Sequence, residues 1–209
     1  MSSQDRLDMT LGDAIFSMRA IRQFKSDLVS EQDLNDVLLA ATQAPSGGNM
    51  QPWHFIVVRD QDKKTEFAKL YREAWWSKRR DIGIERPEQI AKDDRVSQSA
   101  MRLADTIAEA PVIVLVCVTV KFPQAETFVI PAAQNLLLAA RALGIGGTIT
   151  TLHGNVEASV HRLFEIPDSA QVVYCVPLGY PKGRFGPLDR KPLNEVVSED
   201  CWGEVPDWL

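Results

Sequence analysis

Four short stretches of the chain carry residue types suited to holding an anionic heterocycle. Arg19 and Arg22 stand three residues apart, so two guanidinium groups can converge on one anion near a helix end. Guanidinium matches phosphate with paired N–H donors and keeps its charge at every physiological pH. The run Ala44-Pro-Ser-Gly-Gly-Asn-Met-Gln-Pro-Trp53 offers backbone N–H groups with little side-chain cover. Its candidate contacts are Pro45, Ser46, Gly47 and Asn49, with glycine admitting close approach of a ligand and Ser46, Asn49 and Gln51 supplying donors and acceptors. Gly146-Gly-Thr-Ile-Thr-Thr-Leu152 would set hydroxyls and amides of Thr150, Thr151 and Leu152 on one rim. Gly179-Tyr-Pro-Lys-Gly-Arg184 places Lys182 and Arg184 where they could close on the same anion as the two arginines. Taken singly, these are a surface pair, a polar turn, a threonine-rich strand and a basic turn. Their joint occurrence carries the argument.

The elements that must position them follow from spacing. Thr10-Leu-Gly-Asp13 reads as a capping box, followed by Leu11, Ala14, Ile15 and Met18 as one apolar stripe. Ser30 caps a second helix with Leu34, Val37, Leu38 and Ala41 as its buried face, and Pro45 stops it at Ala44. His54–Val58, Val112–Val118 and Val172–Leu178 read as strands buried on both faces, with Pro177 suited only to a strand end. Gly147–Leu152 reads as a short strand. Helices are expected over about 63–78, up to Ala110, over Pro131–Leu143 and over Val156–Phe164. The third of these is apolar nearly all round, which predicts a central or shared position. Residues 77–99 are charge-rich and read as an exposed excursion that could serve as a lid; residues 187–209 form a proline- and tryptophan-bearing extension. Nothing divides the chain, so 1–209 is expected to be a single domain.

Composition narrows the function classes. A net charge of −5 makes a sequence-independent nucleic-acid binder a poor fit, so an anion must be held by a local cation cluster. Three cysteines without CxxC spacing suit a reducing compartment, and three histidines without an HExxH pattern give no metal site. No apolar run is long enough to span a membrane and Met1–Asp8 is not a signal peptide, so a cytoplasmic location is expected. No completed GxGxxG, P-loop or nucleophile elbow is present. His153 is a possible proton donor, and Trp75 and Trp76 could cover a pocket, although a lone histidine or a tryptophan is more often structural.

In this order and spacing, the four stretches resemble the FMN-dependent nitroreductase family. The loop from Ala44 to Trp53 matches that family's pattern at every defined position, and the resemblance extends from about Leu11 to Val197. Met18 and Ala20 stand where many members carry Arg and Ser, which moves weight onto Arg19, Lys182 and Arg184. The resemblance implies an α+β fold, a three-layer α-β-α sandwich around a mostly antiparallel sheet. It also implies a homodimer with an exchanged C-terminal extension and FMN at the subunit interface. The cofactor-binding set it implies is Arg19, Ala20, Arg22, Pro45, Ser46, Gly47, Asn49, Thr150, Thr151, Leu152, Lys182 and Arg184. Arg22 would lie near flavin N1 and O2, and Thr150–Leu152 near N5. The implied activity is ping-pong hydride transfer from NADH or NADPH to an electron-poor small molecule such as a nitroaromatic or quinone, with no residue acting as a separate acid or base. Reductive dehalogenation or flavin fragmentation, a non-catalytic flavin-binding protein, and a colourless interaction domain are the alternatives.

Overall fold

The computed structural model describes residues 2–209; Met1, included in the expected domain and in the expected absence of a signal peptide, lies outside the described residues. The first three helices start on hydroxyl caps. Ser2 caps the single turn α1 (Ser3–Arg6), and Thr10 accepts from the Asp13 N–H at 3.0 Å to open α2 (Leu11–Ser17). Ser30 accepts from the Asp33 N–H at 3.0 Å to open α3 (Glu31–Ala41). Each cap satisfies an otherwise orphaned helix donor. Arg6 pairs with Asp33 and Asp36 and so ties α1 to α3. α3 buries Leu34, Val37 and Ala41, as its spacing predicts. α2 corrects the sequence reading: of its stripe Ala14 is buried and Met18 packs partly against the core, while Leu11 and Ile15 are 69% and 45% exposed.

The strand β1 (Trp53–Val58) leads into α4 (Gln61–Arg80), capped by Asp60, and then α5 (Arg95–Thr106). β2 (Val112–Val118) precedes α6 (Ile130–Ala142), followed by the two-residue β3 (Gly146–Gly147), α7 (Glu157–Phe164) and β4 (Gln171–Gly179). The sheet order is β1-β2-β4-β3, and every neighbouring pair is antiparallel. β2 shows why these strands read as continuous apolar runs. Ile113, Leu115 and Cys117 enter one core with Phe67, Tyr71 and Trp75 of α4, Leu103 of α5 and Val160 of α7. Val112, Val114, Val116 and Val118 enter the other with Val37 of α3 and Leu136, Leu137 and Ala140 of α6. Alternation along one strand thus feeds both faces, giving helices on each side of the sheet: the expected α-β-α sandwich. Pro131 sits in the first turn of α6, and Gly144, at φ +72°, follows its end.

Three boundaries differ from the sequence reading. Pro177 lies inside β4, opposite Ile113, rather than at its end. It has no N–H to offer the neighbouring ladder, so the expected strand Gly147–Leu152 breaks there. Only Gly146–Gly147 pairs continuously, and Thr150 returns as an isolated bridge to Cys175 with mutual hydrogen bonds of 3.0 and 2.9 Å. α4 continues through Ser77 to Arg80 and α5 takes in Ser97–Ser99, so the irregular segment between them is 81–94, anchored by buried Ile90. Residues 187–209 carry a single helical turn, Leu193–Glu195, among irregular backbone and leave Trp202 fully exposed.

Candidate active site

After α2 the chain is extended. The Ile21 N–H donates to the Gly147 carbonyl at 2.9 Å, and Ala20 bridges Gly147 in parallel, so residues 19–22 line the free edge of β3. Gly146 is required for this contact, since a Cβ there would meet Ile21 Cγ1 at 2.6 Å. The edge strand delivers Arg19, Ala20 and Arg22 to a cleft of about 340 Å³ that also receives Arg184. The sequence reading did not find the fourth cation: Arg102, with Ser99, reaches the same cleft from α5. None of these four guanidinium groups pairs with a carboxylate among the described residues. Four uncompensated guanidinium groups around one cleft in an acidic chain suit an anionic group such as a phosphate.

Arg22 also lines a second cleft, of about 340 Å³, and α5 forms part of the wall of both. Ser99 and Arg102 face the first, Ala100 and Leu103 the second. Thr150, Thr151 and Leu152 line this second cleft from the β3 side, together with Asn155. α4 supplies Tyr71, Trp75 and Lys78 at i, i+4 and i+7, one face of the helix. The Tyr71 and Thr150 hydroxyls lie 2.7 Å apart. Burial pushes the Tyr71 phenol up to about 12, against the opposing effects of the Thr150 hydrogen bond and the Arg22 charge. Tyr71 therefore stays protonated at physiological pH. The two clefts meet at Arg22, so one ligand with an anionic end could span both.

The remaining candidates lie elsewhere. Lys182 lines a separate cleft with Phe24, Arg59 and Lys64, not the one holding Arg184. Phe24 bridges Pro181, the Lys182 N–H donates to the Gln23 carbonyl at 3.0 Å, and the chain bends at Lys182–Gly183, which separates the two cations. Pro45, Ser46, Gly47 and Asn49 line neither of the two clefts of their own chain. Their loop is exposed and self-supporting: Ser46 Oγ accepts from the Gln51 N–H at 3.0 Å, and Gly48, Asn49 and Gln51 all have left-handed φ. Gly47 is glycine because a Cβ would meet the Phe128 ring at 2.5 Å. His153 is buried, its Nε2 donating to the Val172 carbonyl at 3.0 Å, and burial holds its pKa below the usual value. It is a structural residue here. Trp75 packs under the Arg79 guanidinium at 4.1 Å, while Trp76 does not reach the cleft.

Comparison with known proteins identifies the family. The sequence model of the Nitroreductase family matches residues 15–180. A protein of Archaeoglobus fulgidus assigned as an NADH dehydrogenase/NAD(P)H nitroreductase is 30% identical over 90% of this chain and 96% of its own length. An iodotyrosine deiodinase of Thermotoga neapolitana is 27% identical over 86% of this chain and 91% of its own. A crystal structure of oxidized iodotyrosine deiodinase bound to FMN and 3-iodo-L-tyrosine superposes with a TM-score of 0.72 at 25% identity, covering 92% of this chain and 99% of that one. The chain belongs to the nitroreductase family. Among the described residues, no helix is long and apolar enough to cross a membrane.

Proposed function

We propose that the chain is an FMN-dependent oxidoreductase that takes hydride from NADH or NADPH and passes electrons to an electron-poor small molecule. The observation that carries this reading is the convergence of Arg19, Arg22, Arg102 and Arg184 on one cleft that adjoins a ring-sized one. FMN fits that donor set, and it is the cofactor bound in the related deiodinase structure. When bound, it would supply two-electron chemistry, coupling nicotinamide oxidation to acceptor reduction in two half-reactions. For a nitroaromatic the balance is one reduced nicotinamide and one proton consumed, with the nitroso product, oxidised nicotinamide and water formed.

The protein's share is binding and electrostatics. The arginines would hold the phosphate, and Arg22, half-buried between the clefts, would extend positive charge to the ring. Such charge favours the more anionic, reduced side of the reaction. Tyr71 fixes the Thr150 hydroxyl, and Thr151 and Leu152 complete that wall. Pro45, Ser46, Gly47 and Asn49 would reach the ring from a second copy. The exposed part of the α2 stripe and the uncovered tryptophans of 187–209 supply apolar surface for such a homodimer, the extension lying on the partner. Three free cysteines suit a cytoplasmic setting.

The test is Arg22→Ala, with FMN affinity measured by fluorescence quenching and flavin reduction by stopped flow. Both should fall; unchanged affinity and rate would sink the assignment. A second reading, reductive dehalogenation, is favoured by the deiodinase relatives. It replaces the halogen of an aryl halide by hydrogen, using two electrons and a proton and releasing halide. Iodide release from 3-iodo-L-tyrosine by the reduced protein separates it from the first. Bound FMN that no nicotinamide bleaches would indicate a non-catalytic flavin protein.

A further inference from the structure

We propose that the ring cleft favours aromatic acceptors carrying a single anionic group, and that Lys78 is the residue that reads the charge. The inference rests on the redox reading of that cleft given above and adds the substrate class. Tyr71 and Trp75, both almost wholly buried, form the base of this wall, and Lys78 places an exposed ammonium one further turn along the same face of α4. Lys78 is exposed and has no hydrogen bond or ion pair with a carboxylate among the described residues. Neither aspartate nor glutamate lines the cleft. Arg22, the other cation, is shared with the phosphate cleft, so Lys78 is the cation left without a counter-charge once a phosphate is bound.

With the flavin ring seated in the cleft as the stacking surface, an uncompensated ammonium on the α4 wall would complement an acceptor ring that bears a carboxylate, sulfonate or phenolate. The same lining disfavours a zwitterionic amino acid. Its ammonium would enter a cleft to which this chain contributes two cations and no carboxylate. A nitro- or halo-substituted aromatic acid therefore suits this chain better than the matching amino acid.

The experiment compares benzoate with benzamide, two unreactive probes of nearly equal shape, by calorimetry on the FMN-loaded protein and on the apoprotein with its arginine cleft saturated by inorganic phosphate. Benzoate should bind about five- to tenfold more tightly, between the worth of an exposed ion pair and that of a buried charged hydrogen bond. Lys78→Gln should remove the preference, and Lys78→Glu should reverse it. In turnover, the KM ratio of para-nitrobenzoate to para-nitrobenzamide should rise by the same factor in Lys78→Gln. para-Nitro-L-phenylalanine should show a higher KM than para-nitrobenzoate with the native protein. A benzoate preference that survives Lys78→Gln, or none in the native protein, overturns the proposal. So does a variant whose only change is a higher KM for the nicotinamide, which would assign Lys78 to the donor's pyrophosphate. If the protein fails to bind FMN, the redox reading falls, while calorimetry on the apoprotein still decides the role of Lys78.

Discussion

Arg102 offers the sharpest single perturbation, because it tests the phosphate cleft without touching the lining of the ring cleft. It is exposed on α5, near Ser99, and shares its cleft with Arg19, Arg22 and Arg184. A hydrogen bond between charged partners contributes about 1.5–3 kcal/mol. Arg102 is solvent-exposed and only one of the converging cations, so the lower end applies, about 1.5 kcal/mol or about tenfold in Kd. Arg102→Gln should therefore weaken FMN binding about tenfold. Riboflavin lacks the phosphate, and the variant should affect its binding far less. Arg22→Gln should weaken both ligands, because Arg22 lines both clefts, and for FMN the loss should approach about 30- to 150-fold. The assay is titration of apoprotein with each flavin, following fluorescence. Equal losses for FMN and riboflavin in Arg102→Gln, or no loss for either, would refute the assignment of this cleft to the phosphate.

Other expectations concern the frame around the site. Gly147→Ala should cost about 2 kcal/mol, lowering Tm by about 4–8 °C, because its Cβ would meet Leu178 Cδ2 at 2.6 Å and the Pro177 carbonyl at 2.9 Å. Gly154→Ala, where nothing lies within 4 Å, should stay within about 0.5 kcal/mol in the same thermal melts. Tyr71→Phe removes the 2.7 Å bond to Thr150 and should lower Tm by about 2–4 °C, for a loss of about 1 kcal/mol. The depressed pKa of His153 makes the unfolded chain bind more protons below its ordinary value of 6.5. Stability from this group is thus present above that pH and is lost as pH falls toward the folded-state pKa. Tm should drop through that window in the native protein, and less steeply in His153→Gln; parallel pH profiles would contradict this. Deleting 193–209 should shift the protein toward monomer in sedimentation velocity and weaken FMN binding, whereas an unchanged dimer would remove the role given to the extension.

Much of the frame was legible because it depends on local pattern. Val112–Val118 matched β2 residue for residue, since a strand covered on both faces must be apolar throughout. α6 was found within a residue at each end through Pro131 and Gly144. The failures were non-local. Only β4 lying beside β3 turns Pro177 into a break in the strand expected over Gly147–Leu152. The stripe on α2 had the right period, but period alone does not say whether the chain itself covers it. Arg102 sits in a charge-rich segment whose arginines look alike until α5 docks beside the edge strand carrying Arg19 and Arg22. Tyr71, Trp75 and Lys78 left a readable i, i+4, i+7 signal, yet that spacing also describes any packed helix face. The Ala44–Trp53 loop was the most specific family match, although its exposed position shows no ligand contact within one chain.

The central claim is that one ligand spans the arginine cleft and the ring cleft, and that it is an FMN that nicotinamide reduces. The most direct measurement is to reconstitute the protein with FMN, remove unbound flavin, and titrate anaerobically with NADH and then NADPH while following flavin absorbance. The account predicts stoichiometric FMN, bleaching by at least one of the two nicotinamides, and recovery of colour when an acceptor is added after oxidised nicotinamide has been removed. A protein that retains no FMN, or one whose bound FMN stays oxidised with both donors, would contradict it.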